Sequence, residues 1–400
     1  MIMPTYPVPT DSGTKRRMMA FLEGFSRSHR VVAVSLGDRR YAGGWDTERG
    51  RWESHIVPHD FRRHAPLLRS FFSSRTYREV KFSNREFSTL LERLLEENDF
   101  DVVWVNFLNM AAYLDGYLSS RRASSGSKPL LLLDQHNLDE YVWRKFAENT
   151  GNPLYKTFCM CESVKNRRLQ EAYFPAFDLI LSVSELEKEM TERYDVPSGN
   201  VVLAPNGVDV DYFKPRPKTE GSPEPTVVFG GSLDAAMNRD AVQWLVSEIF
   251  PLVKKRIPRT RLLIAGRNPS PSVLRMTGSD VEVVADPADI RDYYSRADVF
   301  VVPLRYGGGT KLKTLEAMAM ALPVVSTSTG VQGLNVISGE HIFVADEPRH
   351  FADGIVDFLL NPLKAEETAL KARRFVEENF NWSSIVAHVE KAVLERLAPE

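Results

Sequence analysis

Apolar residues fall along this chain in two alternating rhythms. Short continuous runs at residues 31–35 (VVAVS), 102–105 (VVWV), 130–133 (LLLL) and 179–183 (LILSV) read as strands buried on both faces. Between them lie amphipathic stretches such as 87–97 and 154–173, which read as helices. The second half repeats the theme. Residues 226–229, 261–265, 281–284, 299–302 and 323–326 read as strands, and 238–256, 289–296 and 311–320 as helices between them. Strands alternating with helices predict parallel sheets covered on both faces. Residues 211–225 (DYFKPRPKTEGSPEP) hold four prolines and read as a linker. The expected fold class is α/β, with two Rossmann-like domains facing across a cleft. Ligands in such sheets bind beyond the carboxyl ends of the strands.

One such strand end stands out chemically. The apolar run at 299–303 leads through Gly307, Gly308 and Gly309 to Thr310, Lys311 and Leu312, where a helix begins. Consecutive glycines let a backbone approach a ligand closely, because no Cβ intervenes. The free N–H groups of a new helix and its dipole favour an anion there. Lys311 and Lys313 add positive charge, and Glu316 sits a little over one turn inside, within reach of a ligand's hydroxyls. Phosphate and sugar hydroxyls in one pocket describe a nucleotide. A loop that only reverses the chain needs fewer glycines and no lysines.

The stretch GGGTKLKTLEAMAMALPVVST resembles the donor-site signature of the retaining glycosyltransferases of family 4, which have the two-domain GT-B fold. In that family a Glu-x7-Glu motif spans loop and helix, and its second Glu binds the ribose of a nucleotide sugar. Glu316 matches that residue. The first Glu would fall at Gly308, so the chain departs from the pattern and is similar to a glycine-rich sub-branch. The resemblance implies the division 1–207 for an acceptor-side domain, 208–225 for the linker and 226–380 for the nucleotide-sugar domain. Residues 381–400 would form a helix crossing back to the first domain near Trp382. The family's first strand is longer than Met1-Ile2-Met3, so this strand is clipped or the start lies upstream.

Further positions follow the same resemblance. Pro7 to Arg16 (PVPTDSGTKR) is similar to the loop that closes over donor diphosphate and acceptor. Gly13 would approach the donor there, while Asp11, Lys15 and Arg16 would lie on the acceptor side. Asp11 or Ser12 can cap the helix that follows. The strand at 130–133 ends in Asp134, Gln135, His136 and Asn137. His136 matches the family's histidine beside the donor sugar, and Asn137 is assigned to the acceptor side. The segment 201–209 (VVLAPNGVD) is similar to the interdomain turn. Gly230, Gly231 and Ser232 match a turn against the donor phosphates, and Arg267 follows the next strand. A lone histidine or an exposed arginine has a bland structural alternative in each case. His136, Lys311 and Glu316 form the expected catalytic set, with no metal and no cofactor. The donor would be UDP- or GDP-linked, and reaction would retain anomeric configuration. Two rival readings are a nucleotide-sugar 2-epimerase of the same architecture and a non-catalytic GT-B-like binding protein.

Composition narrows the partners. The chain has 400 residues, 43% hydrophobic and 26% charged, with a net charge of −2. Such values suit a globular protein of two domains. Its two cysteines, Cys159 and Cys161, sit in a helical pattern without metal-ligating neighbours, which fits a reducing cytoplasm. No apolar run is long enough for a signal peptide or a membrane span. Residues 1–85 carry 16 Lys and Arg against 8 Asp and Glu, leaving the remainder acidic. Arg62, Arg63, Arg69, Arg75, Arg78, Lys81 and Arg85 are interleaved with Leu67, Leu68, Phe71 and Phe72. That mixture suits an anionic membrane surface or lipid-linked acceptor. The alternative is a solvated helix face with a saccharide acceptor elsewhere. A nucleic-acid partner is not expected.

Overall fold

The computed structural model describes residues 1–10, 12–38, 52–61, 69–123, 128–197, 199–217, 224–307 and 309–398, with backbone alone at 120–123. The chain forms two compact units. Met1–Pro205 and Val386–Glu400 make the first, and Asn206–Ile385 the second.

The first unit carries seven strands: β1 (Ile2–Met3), β2 (Val32–Gly37), β3 (Glu53–Pro58), β4 (Val102–Asn106), β5 (Leu130–Asp134), β6 (Leu179–Ser182) and β7 (Val201–Leu203). They pair in the order β3-β2-β1-β4-β5-β6-β7, every pair parallel. The second unit repeats the plan with β8 (Thr226–Ser232), β9 (Arg261–Arg267), β10 (Val281–Ala285), β11 (Val299–Val302), β12 (Val324–Ser326) and β13 (Phe343–Val344). Their order is β10-β9-β8-β11-β12-β13, again all parallel. In each sheet the strand order reverses at the centre, between β1 and β4 and between β8 and β11. Loops leave that point in opposite directions and open a crevice for ligand.

The apolar runs became the central strands because both faces are covered. Leu131, Leu132 and Leu133 of β5 and Val299 to Val302 of β11 are fully buried. Each sheet packs its own core, with Phe87, Leu91, Met110 and Phe174 in the first and Phe229, Trp244, Phe300 and Phe351 in the second. The stretch 238–256 is broken. Helix Ala236–Trp244 passes through a π turn at Leu245–Ile249 into Phe250–Arg256. Pro251 has no N–H to continue the α ladder, and the π turn lies just before it.

The turn at Asn206-Gly207 packs under Trp382, whose ring atom Cδ2 would lie 2.8 Å from a Cβ at position 207. Trp382 opens the last helix, Trp382–Leu397, whose residues from Val386 onward belong to the first unit. Gly24 of helix Gly13–Phe25 lies against Val386, and Arg396 donates to Asn200 Oδ1 at 2.7 Å and to the Gly199 carbonyl at 2.6 Å. No helix among the described residues is long and apolar enough to cross a membrane.

Candidate active site

In the second unit, the glycine loops after β8 and β11 come together. Gly231 has φ of +148°, and a Cβ there would lie 2.7 Å from Lys313 Nζ. A Cβ on Gly266 of β9 would lie only 1.8 Å from the Gly231 carbonyl oxygen. Gly231 is therefore required by φ and Gly266 by packing. Gly230, Gly231 and Ser232 are the last residues of β8, and the chain turns at Leu233 and Asp234, with Ser232 Oγ donating to Asp234 at 2.7 Å.

Helix Leu312–Ala319 starts beside this turn, with Lys311 as its extended N-cap. The helix read over 311–320 therefore starts one residue later, which leaves Lys311 before it and Lys313 inside it. Lys311 is buried and donates to the Gly309 carbonyl at 2.7 Å, which turns its amine back into the glycine loop. Burial pushes it down to about 8. Lys313 donates to Asn238 Oδ1 at 2.7 Å and lies 4.2 Å from the Phe229 ring centroid. Asn238 Nδ2 in turn donates to the Ser232 carbonyl at 2.7 Å, which fixes the amide's orientation. Burial pushes Lys313 down to about 7; the Glu316 charge opposes this and Lys311 adds to it. Glu316 is 6% exposed, one turn further along. The Thr310 hydroxyl is buried without a hydrogen-bond partner. Leu312 and Gly307 line the same loop, Arg267 stands exposed at the end of β9, and Gly308 lies outside the described residues. Sequence reasoning missed Asn238, because nothing local marks an asparagine that orients a lysine 75 residues away.

In the first unit, Ser12 caps helix Gly13–Phe25 by accepting from the Lys15 N–H at 3.4 Å. Gly13 opens the helix, Lys15 and Arg16 are half-buried on it, and Asp11 lies outside the described residues. The next residue, Arg17, is fully buried and was not anticipated. It binds Asp134 through Nε (2.8 Å to Oδ1) and Nη2 (2.7 Å to Oδ1). Its Nη1 donates to the carbonyls of Ala204 (2.8 Å) and Pro205 (3.1 Å). Burial raises the Asp134 carboxyl, but Arg17 and His136 outweigh it and hold the group at about 2. His136 is buried at the end of β5, with Asn137 half-buried beside it. Burial lowers the His136 imidazole below its usual range, partly opposed by Asp134. Two buried carboxyls rim the same loop. Asp139 accepts from Arg78 at 2.8 Å, and burial pushes Glu187 up to about 7. A cavity of about 400 Å³ lined by Met1, Phe25, Leu94, Trp104 and Leu397 lies at the amino-terminal edge of this sheet, away from these strand ends.

The family model described as Glycosyltransferase Family 4 matches residues 11–212, half of the chain. The chain belongs to glycosyltransferase family 4. The model described as Glycosyl transferases group 1 matches residues 224–361, so both units of this family 4 chain are covered. An uncharacterized 44.6 kDa protein in the cps region of Klebsiella pneumoniae is 28% identical over 272 residues, 65% of this chain and 67% of that one. A GDP-mannose-dependent alpha-(1-6)-phosphatidylinositol monomannoside mannosyltransferase of Mycobacterium tuberculosis is 23% identical over 321 residues, 74% of this chain and 76% of its own. A glycosyltransferase from Rickettsia africae superposes with a TM-score of 0.69 at 14% identity, covering 100% of this chain and 99% of that one. Anabaena HepE in complex with UDP and glucose superposes with a TM-score of 0.67 at 13% identity, covering 98% and 99%. These likenesses show the GT-B fold. Among the described residues of this glycosyltransferase no cluster of His, Cys, Asp or Glu is placed to hold a metal ion.

Proposed function

We propose that this glycosyltransferase moves a hexose from a nucleoside diphosphate sugar to an acceptor hydroxyl, with retention and without a metal ion, in glycan, polysaccharide or glycolipid synthesis. The observation that carries this is the Lys313 amine set against Gly231 at the centre of the second sheet. Breaking the sugar–phosphate bond leaves extra charge on the diphosphate. Lys311, Lys313 and the N–H groups of the glycine turns meet that charge where water is scarce, which is where such stabilisation is strongest. Glu316 accepts the ribose hydroxyls, and His136 contacts the donor sugar. The acceptor's proton passes to the leaving phosphate, so no protein nucleophile is assigned. Gly13, Lys15, Arg16 and Asn137 serve the acceptor side, and Asp11 and Gly308 keep their roles by resemblance alone.

Calorimetry with UDP- and GDP-linked hexoses tests the donor assignment. Among relatives and neighbours, one name specifies GDP-mannose and one title UDP-glucose, so both nucleotides belong in the panel. Free Lys313 sits near 7, and a bound diphosphate raises it, so binding takes up a proton above that pH. Affinity should hold steady below pH 7 and weaken by up to about tenfold per pH unit above it. Affinity independent of pH from 7 to 9, without proton uptake, would remove the lysines from the diphosphate site. No binding by any sugar in the panel would remove the function.

The acceptor side suits an anionic membrane surface. Phe71 is 50% and Phe72 85% exposed, on a segment that also exposes Arg69 and Arg75. The intervening Ser70 is buried and donates to Glu162 at 2.6 Å, which holds the two rings outward. Arg62, Arg63, Leu67 and Leu68 lie outside the described residues. Liposome co-sedimentation should show binding to anionic vesicles that fades with salt and drops in a Phe71→Ser/Phe72→Ser variant. Equal sedimentation with neutral and anionic vesicles, or none, leaves a saccharide acceptor away from the membrane.

A further inference from the structure

The His136 ring is gripped on its edge and on its face. On the edge, Nε2 lies 3.3 Å from Asp134 Oδ2 and 3.4 Å from Asn106 Oδ1. The Asn106 amide cannot be turned round, because its Nδ2 donates to the Ile2 carbonyl at 3.2 Å. Both neighbours of Nε2 are therefore acceptors, and the ring proton belongs on Nε2. Among the described residues Nδ1 has no hydrogen-bond partner, so it carries a lone pair. On the face, Phe107 stacks at 4.0 Å between centroids with 14° between planes. Phe107 holds φ of +67° and ψ of 134°, a conformation that a bulky side chain adopts only under strain. Such strain persists where surrounding structure enforces it, and it concentrates at functional sites. The Arg78 guanidinium lies over the Phe107 ring at 5.3 Å. Behind Asp134, Arg17 occupies both carboxylate oxygens, with contacts of 2.7–3.1 Å.

We infer that Asp134, anchored by Arg17, and Phe107 are positioning residues that lock His136 as its Nε2–H tautomer, presenting Nδ1 as a hydrogen-bond acceptor for a hydroxyl of the donor sugar. This rests on the reading that His136 contacts that sugar. It adds the polarity of the contact: the ring accepts a hydrogen bond from the sugar hydroxyl and does not donate one. A sugar lacking a hydroxyl at that position, or bearing an ether there, is discriminated against because Nδ1 loses its donor.

Nitrogen NMR of histidine-labelled protein, with His136 assigned from a His136→Gln variant, tests the tautomer directly. The expected spectrum has a protonated Nε2 and a bare Nδ1. Asp134→Asn should reverse it. The oxygen of the substituted amide stays with Arg17, its N–H turns to Nε2, and the ring proton moves to Nδ1. The parallel is the wrong tautomer produced by the equivalent change in serine proteases. kcat/KM should then fall by about ten- to a hundredfold. A bare Nε2 in the unmodified protein overturns the inference even if the variant fails to fold. Phe107→Gly, which relieves the strain and removes the stack, should broaden the His136 signals without changing which nitrogen is protonated; sharp, unshifted signals would remove Phe107 from the clamp. A His136→Ala variant that transfers sugar at the unmodified rate would instead remove the sugar contact and leave the tautomer assignment standing.

Discussion

Replacing Arg17 with methionine is expected to destabilise the first unit by about 3–5 kcal/mol, the usual consequence of stripping one partner from a buried ion pair. Arg17 and Asp134 both have side chains with no exposure. Methionine fills much of the same volume, so packing contributes little and the unpaired carboxylate dominates. Two carbonyls, of Ala204 and Pro205, lose a donor at the same time. The loss should depend on pH in a defined direction. In the intact protein Asp134 sits near 2, below its ordinary 3.8, so its contribution is complete above 3.8 and is lost as pH falls towards 2. Without Arg17, burial is opposed by His136 alone and the carboxyl rises, so the variant is penalised most at neutral pH and least in acid. Urea unfolding followed by the fluorescence of Trp104, which packs on Phe21 and Phe25 in this unit, would measure it. Adding Asp134→Leu should recover most of the loss, because no charge then remains buried. A loss under about 1 kcal/mol, or no rescue, would mean that the pair is not what holds these strands and loops together.

Glu316→Gln should weaken donor binding by about 1.5–3 kcal/mol while the fold stays intact. The substitution keeps shape and removes charge. A buried carboxylate that accepts two ribose hydroxyls makes charge-assisted bonds, and an amide offers one acceptor oxygen and an unwanted donor. The charge also acts inside the protein, since Glu316 opposes the lowering of Lys313. In the variant Lys313 should deprotonate at lower pH, so donor affinity begins to fall earlier on the alkaline side. Calorimetry at three pH values separates the two effects. Unchanged affinity and an unchanged pH profile would take Glu316 out of the nucleotide site.

Much of this architecture is written locally. The strands that were legible are those whose neighbours bury both faces, such as Leu130–Asp134 and Val299–Val302. β1 was placed at Met1-Ile2-Met3 by the family resemblance alone, although it stands at the centre of its sheet, because two apolar residues carry no periodicity. β3 and β13 sit at sheet edges, where half-burial dilutes the apolar signal. The glycine loop with its lysines and Glu316 could be read from one short stretch, since the elements that shape it are consecutive. So could His136, at the end of an apolar strand.

What these side chains do to one another depended on contacts that no local pattern records. Arg17 reads as one more cation in a basic run, yet it pairs with a residue 117 positions away and is fully buried. Lys311 and Lys313 read as two charges on one helix, and the helix begins between them. The sequence by itself determined the alternation of strands and helices, the placing of glycines where backbone must come close, and the chemical types available at the strand ends. These follow from periodicity, φ freedom and side-chain chemistry, which are properties of neighbours along the chain. Tertiary structure decided which charge is paired, which amine is turned into the glycine loop, and which nitrogen of His136 holds the proton. Those outcomes depend on desolvation and on distances of about 3 Å between residues far apart in sequence, and only the packed sheets bring them together.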